Sequence, residues 1–325
     1  LLITIYTKKY YFLKKVYAMA KRVLIISLLF SSFTTLGNTK QAEPIKEIIW
    51  LQSYTPPFHI TKSDKAPQGG LCDNLTEQLI NTITDVKHTR LVVPQQRINK
   101  YLNEGKNVCF PCVIYKKQNN HILKLSNPTT VYPPFSVLTT TELAPKLTKK
   151  HGSPISLMNL LADQHYVYGQ AAARKFSNRI DTLIKNIMHD NSSSFSWSSE
   201  NESQAVIERL SRGFLDYSID YPFMADFFKK QGKFNNITSI PLAEEEAGFI
   251  RGAVGCAVKA KNNFASQAIN KINNALKATI LQSPEYIKSQ HIFLNSSFAD
   301  FNKHYQQQVI NFKLPATDAQ SNTVH

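Results

Sequence analysis

The chain has 325 residues, 42% of them hydrophobic and 19% charged. That is globular composition with enough length for two lobes of ordinary size. The formal charge is +15, and six of the cations (Lys8, Lys9, Lys14, Lys15, Lys21 and Arg22) fall in residues 1–37, which hold no acid, leaving +9 spread over the remainder. A nucleic-acid interface needs a basic stripe with interleaved aromatics. None is present, so the surplus reads as a solvated basic surface and nucleic acid is not expected as a partner.

Met19-Ala20-Lys21-Arg22 followed by VLIISLLFSSFTTLG has the form of a secretory signal. It combines a short basic region, a brief apolar run, and small residues at Thr35 and Gly37 for cleavage. The apolar run is short for a membrane span, although an uncleaved anchor is the alternative. Leu1 is an unusual first residue, so Met19 is the expected start. Residues 1–42 are set aside as signal and upstream sequence, and the expected location is the periplasm.

The first α/β unit begins with EIIWL (47–51), a buried strand, and the aromatic–proline turn SYTPPFHI. Leu71, Leu75, Leu79 and Ile83 recur at helical spacing over 71–84. TRLVV (89–93) is a strand, 95–104 a helix closed by Gly105, and 107–115 another strand. Extended segments follow at 121–125 and 131–140. This β-α-β-α-β order implies a parallel sheet with covering helices.

The unit then restarts. SPISLMNLLA (153–162) is a helix with Ser153 as cap and Pro154 at its first position. YVYG (166–169) is a strand and 171–189 a long helix. FSWS is a short strand, 201–212 a helix opened by Asn201, LDYSIDY a strand, and 223–231 a helix ending near Gly232. ITSIPL and the small-residue strand GAVGCAVKA (252–260) lead to helices at 263–281 and 284–290. Residues 301–325 are expected to be a polar tail.

Export permits disulfides, and Cys72, Cys109, Cys112 and Cys256 allow three pairings. Cys109-Phe-Pro-Cys112 lies in the strand-like run NVCFPCVIY rather than at a helix start, where a thioredoxin-type thiol would need to be. A structural bridge or buried free thiols are therefore expected. No paired His stands at ligand spacing for zinc, and no metal or cofactor is implied. His59, His88, His121, His151 and His165 are scattered. Glu244, Glu245 and Glu246 read as a solvated turn.

Several segments, in order, resemble bacterial extracellular solute-binding proteins of the family that includes the polar amino-acid binders. These are YTPPF (54–58), GG-x-x-D (69–73), QQRINKYLNEGKNVCF (95–110), HYVYGQAAA (165–173), LSRGFLDYSIDYP (210–222) and GAVGCAVKAKNNFASQAINKINNAL (252–276). The likeness covers about residues 45–295. The Pro94-x-x-Arg97 and Gly105-x-x-x-Cys109 spacing further resembles a subgroup of exported proteins of this kind.

The resemblance implies a periplasmic-binding-protein-like type II fold: two α/β lobes joined by two crossing strands. The lobes would be residues 43–138 with 242–300, and residues 139–241. A small polar ligand would be buried between them as they close and passed to an inner-membrane ABC-type transporter or a sensor by a monomeric carrier. Tyr54, Phe58 and Tyr132 would supply apolar walls. Gly169 and Gln170 would mark the glycine step at which backbone N–H groups open a helix and hold an anion. Asp220, at the end of its strand, would accept hydrogen bonds from a ligand amine. Asp73 would sit in a first helical turn, as a ligand group or as a complement to the helix dipole.

Two departures narrow the ligand. The family's Arg in T-x-E-R, which holds an amino-acid carboxylate, is replaced by Lys116, Lys117 and Gln118. Hydroxyls after the glycine step are replaced by Gln170, Ala171 and Ala172. Arg97 is the candidate substitute clamp. A non-catalytic binding protein is the main reading. A periplasmic dehydratase-like enzyme on the same scaffold, or an interaction module that has lost ligand binding, are the rivals.

Overall fold

The computed structural model describes residues 43–60, 69–116, 121–188, 194–197, 201–245 and 247–313. The expected signal segment and Lys117, Gln118 and Glu246 lie outside them. Strand β1 (Glu47–Gln52) buries Ile48, Trp50 and Leu51 completely and forms the middle of a parallel trio with β2 (Lys87–Val92) and β3 (Val108–Ile114). Helices α1 (Leu71–Thr82) and α2 (Gln95–Asn103) make the two crossovers that parallel pairing requires. Short strands β4 (Leu123–Leu125) and β5 (Thr130–Tyr132) follow.

The three residues Pro133, Pro134 and Phe135 carry the chain into a second sheet. Its elements are β6 (Ser136–Thr140), α3 (Ala144–His151), α4 (Leu157–Ala162), β7 (Tyr168–Ala171), α5 (Asn178–Met188), β8 (Ser194–Trp197), α6 (Glu202–Ser211), β9 (Tyr217–Asp220), α7 (Pro222–Lys230) and β10 (Ile237–Pro241). The strand order is β10-β6-β9-β7-β8, with β7 parallel to both β8 and β9 and β6 antiparallel to β9 and β10. The chain then returns in β11 (Ile250–Ala257), which inserts antiparallel beside β3 and also pairs with β4 and β5. Two sheets joined by two chain crossings define two lobes.

After β11 come α8 (Phe264–Ala275), prolonged by a π-type turn at Leu276–Ile280, and α9 (Pro284–Leu294). Residues 301–310 are helical, not a tail: α10 (Phe301–Tyr305) runs on into a π-type turn at Gln306–Ile310. Phe301, Tyr305 and Val309 recur every fourth residue on one buried face, and Tyr305 donates its hydroxyl to Leu281 O at 2.8 Å. Burying two aromatic rings and a valine outweighs the polarity of the residues between them.

Two other boundaries differ from expectation. The helix expected from Ser153 begins at Leu157, where Ser156 Oγ accepts the Asn159 N–H. The long helix expected over 171–189 starts only at Asn178. Pairing of β7 with β8 holds the chain extended through Ala171, and Ser177 Oγ accepts the Ile180 N–H at the true helix start. The glycine of the 210–222 segment behaves as read: Gly213 has φ +73° and closes α6.

All four cysteines are paired, and the C-x-x-C does not close on itself. Cys109 joins Cys256 across the β3–β11 pair, and Cys112 joins Cys72 on α1. Both bridges lie within the first sheet and its helix, so they brace one lobe and leave the crossings free.

Candidate functional site

The turn after β1 forms one wall of a cavity between the sheets. Gly70 lies so close to this turn that a Cβ there would meet Phe58 O at 2.3 Å, which admits no side chain. Asp73, on the first turn of α1, fixes the turn from beneath. Its carboxylate accepts Gln52 Nε2 at 3.0 Å, His59 Nδ1 at 2.7 Å, the Ile60 N–H at 2.7 Å and the Gly70 N–H at 2.8 Å. Burial pushes this carboxyl up, but hydrogen bonds and charge from His59, aided by the two backbone N–H groups, hold it below its ordinary value. Asp73 thus builds the wall and does not line the cavity.

The cavity encloses about 290 Å³. The first lobe contributes Thr55, Phe58 and His59 from the turn, Gln95, Asn99 and Leu102 from α2, Phe110 and Cys112–Ile114 from β3, then Lys116, Leu123 and Tyr132. The second lobe contributes Ala171, Ala173, Arg174 and Lys175 from the segment after β7, Glu202 and Ser203 from the start of α6, and Tyr221. The site thus spans both lobes, as clefts of this kind do.

Arg174 is the principal charged group. Its guanidinium carbon lies 5.4 Å from the Phe135 ring, 5.6 Å from Phe176 and 5.1 Å from Tyr221, a cage of cation–π contacts. Its Nη2 is bound to Asp220 Oδ1, while its Nε is buried with no protein partner. Asp220 Oδ1 also accepts the Tyr221 N–H at 2.8 Å. Burial raises the Asp220 carboxyl, against the pull of Arg174 and of that N–H. Lys116, at the end of β3, reaches Asp181 of α5 at 3.3 Å, an ion pair between elements of different lobes.

Of the residues singled out in the sequence, Phe58 and Tyr132 line the cavity. Both are buried, packing together at 5.7 Å and each against Tyr221, at 5.8 and 5.3 Å. Tyr54 is 41% exposed and outside the lining. Arg97 is also exposed and outside it, because the inward face of α2 is the one carrying Gln95 and Asn99, four residues apart. Gly169 and Gln170 lie within β7 rather than at a helix start, so no fan of N–H groups follows them, and Gln170 Oε1 accepts the Tyr168 hydroxyl at 2.7 Å. Asp220 is outside the lining, and its Oδ1 takes the bonds from Arg174 and the Tyr221 N–H.

Three features were not read from the sequence. Arg174 was placed inside a helix; its signal was a lone Arg just beyond the glycine step. His59 is not scattered but paired with Asp73, while His151 and His165 both approach Asp163, at 3.1 and 2.9 Å. The Glu244–Glu245 pair is no solvated turn: Glu244 accepts the N–H groups of Leu157 and Met158 at the start of α4, and Glu245 accepts the Ser177 hydroxyl at 2.9 Å. Among the described residues no His, Cys, Asp and Glu cluster fit for a metal occurs, and no helix is long and apolar enough to cross a membrane.

Two lobes, two crossings and a cleft lined from both sides define the periplasmic-binding-protein-like type II fold. No family model matches the chain, and no curated protein matches it in sequence. Solved structures do. One, from work on glutathione import via GshT and the cystine ABC importer TcyBC of Streptococcus mutans, aligns with a TM-score of 0.59 at 16% identity, covering 78% of this chain and 97% of its own. A histidine kinase sensor domain with similarity to periplasmic binding proteins aligns at 0.57 and 10% identity, over 78% and 97%. An ABC uptake transporter substrate binding protein from Streptococcus pneumoniae with bound histidine aligns at 0.56 and 14% identity, over 77% and 93%. At such identities the likeness establishes the fold.

Proposed function

We propose that the protein is an exported solute-binding protein that closes two lobes over a small acid and presents it to an ABC-type transporter or a sensor. The lobes correspond to residues 43–138 with 242–300, and 139–241, with the helix at 301–310 added to the first. The observation that carries this reading is the charge of the lining, where Arg174, Lys116 and Lys175 stand against one carboxylate, Glu202. Buried guanidinium N–H groups favour carboxylates. An amine with no acid group would meet one lining carboxylate, Glu202, against three lining cations. The ligand is therefore an acid, with or without an amine, and the expected carrier is a periplasmic monomer without catalytic activity.

Structural neighbours described as substrate-binding proteins support capture, and one described as a kinase sensor domain supports the sensor alternative. Thermal-shift screening against amino acids, dicarboxylates, polyamines and neutral sugars tests the reading. Stabilisation by acids alone is the expected result. Stabilisation by polyamines but by no acid defeats it.

A further inference from the structure

The lining of the cleft has two unlike parts, and together they describe the body of the ligand as well as its charge. The part supplied by β3 and its neighbours is apolar. Phe110, Cys112 and Ile114 stand at alternate positions of β3 and so share one side of the strand. Cys112 is joined to Cys72, so it brings a disulfide rather than a thiol. Val113, Leu123 and Tyr132 extend this surface, and the Tyr132 hydroxyl is spent on the Cys112 sulfur, 3.6 Å away. Cys112, Val113, Ile114 and Leu123 are only partly buried, so the wall keeps uncovered apolar area. A ligand that covers it gains in proportion to that area. The neutral polar part of the same lobe, Gln95 and Asn99, lies on α2.

The cationic part is Arg174 and Lys175, consecutive on the segment after β7, with Lys116 at the end of β3. The carboxylate of an acid belongs there. An ammonium on the same ligand enters a cavity with three lining cations and one carboxylate, Glu202, itself only 5% exposed. Its lost hydration is poorly repaid and the cations repel it. Asp220, the acid that the sequence offers to an amine, is outside the lining. The enclosed volume of about 290 Å³ is at the low end for ligand pockets, enough for one ring or branched chain with its carboxyl.

We propose that the cleft takes an acid with an apolar body: an aryl-substituted or branched-chain carboxylate without an α-amino group. The carboxylate meets the cations, and the body lies on the wall built around β3. The inference rests on the acid-binding reading, and the test separates the two.

Calorimetric titration with two matched pairs, 3-phenylpropionate with L-phenylalanine and 4-methylpentanoate with L-leucine, isolates the amine. Glutarate supplies an acid with no apolar end. For the wild-type protein the amine-free member of at least one pair binds about tenfold more tightly or better than its amino acid, and more tightly than glutarate. Ile114→Thr keeps a β-branched side chain in the strand, so its melting temperature stays close to wild type, and it weakens binding of the preferred acid about threefold or more. A smaller preference in both pairs, glutarate binding more tightly than both amine-free acids, or an affinity unchanged in Ile114→Thr overturns the ligand class while leaving the acid-binding reading intact. If no acid binds the wild type, that reading fails and the ligand class falls with it.

Discussion

Arg174 Nη2 binds Asp220 Oδ1, tying the segment after β7 to the end of β9 in the second lobe. Their side chains are 19% and 14% exposed, so neither charge is well solvated alone. Arg174→Met should destabilise the protein by about 3–5 kcal/mol, because Asp220 is left buried without its cation. Adding Asp220→Asn should restore much of that stability but none of the acid binding. Urea unfolding and calorimetry on the single and double variants measure both effects.

Asp73 gives a pH-dependent prediction. Its carboxyl is held below the ordinary value in the folded state, so folding is favoured wherever the unfolded chain would bind the proton more readily. That contribution is complete above the unfolded carboxyl pKa of about 4 and is lost as pH falls through the lower folded value. Asp73→Asn should cost about 2–4 kcal/mol at pH 7, from the loss of charge-assisted hydrogen bonds. The gap between wild type and variant should narrow below about pH 4, as melting curves at pH 7 and pH 3 will record.

The two disulfides should contribute unequally. Chain-entropy arguments give about 4 kcal/mol for the Cys72–Cys112 loop and about 5 for Cys109–Cys256, whose sequence separations are 40 and 147. The Cys109→Ser/Cys256→Ser double variant should therefore unfold at lower urea than Cys72→Ser/Cys112→Ser. Equal midpoints would contradict this ordering.

Lys116 and Asp181 form a cross-lobe pair, each about 30% exposed. At that exposure Lys116→Gln should change global stability by less than about 1 kcal/mol. Its effect should appear instead in the lobe equilibrium, as a larger radius of gyration by small-angle scattering in the variant without ligand. An unchanged radius would show that the pair does not hold the lobes together.

Much of the architecture was legible because it depends on local periodicity. Leu71, Leu75 and Leu79 all turn inward from α1, and EIIWL forms the expected buried strand. Phe58 and Tyr132 were identifiable through the resemblance, which implies aromatic walls from these segments. The charged part of the site was less legible. Arg174 acts through three rings, Phe135, Phe176 and Tyr221, whose proximity depends on tertiary packing. Arg97 misled because it stands two residues from both Gln95 and Asn99, about 200° of helical phase, which puts it on the opposite face of α2. The helix at 301–310 was hidden by its glutamines, although Phe301, Tyr305 and Val309 already carried the repeat.

The crossing between β5 and β6 has a mechanical consequence. Phe135 is fully buried, stacks 4.4 Å from Tyr221 and packs 5.4 Å from the Arg174 guanidinium carbon, yet it belongs to the three-residue span that joins the two sheets. Two prolines stiffen the approach to it. The Arg174 guanidinium is thus one ring away from the segment that connects the lobes, with no residue between them.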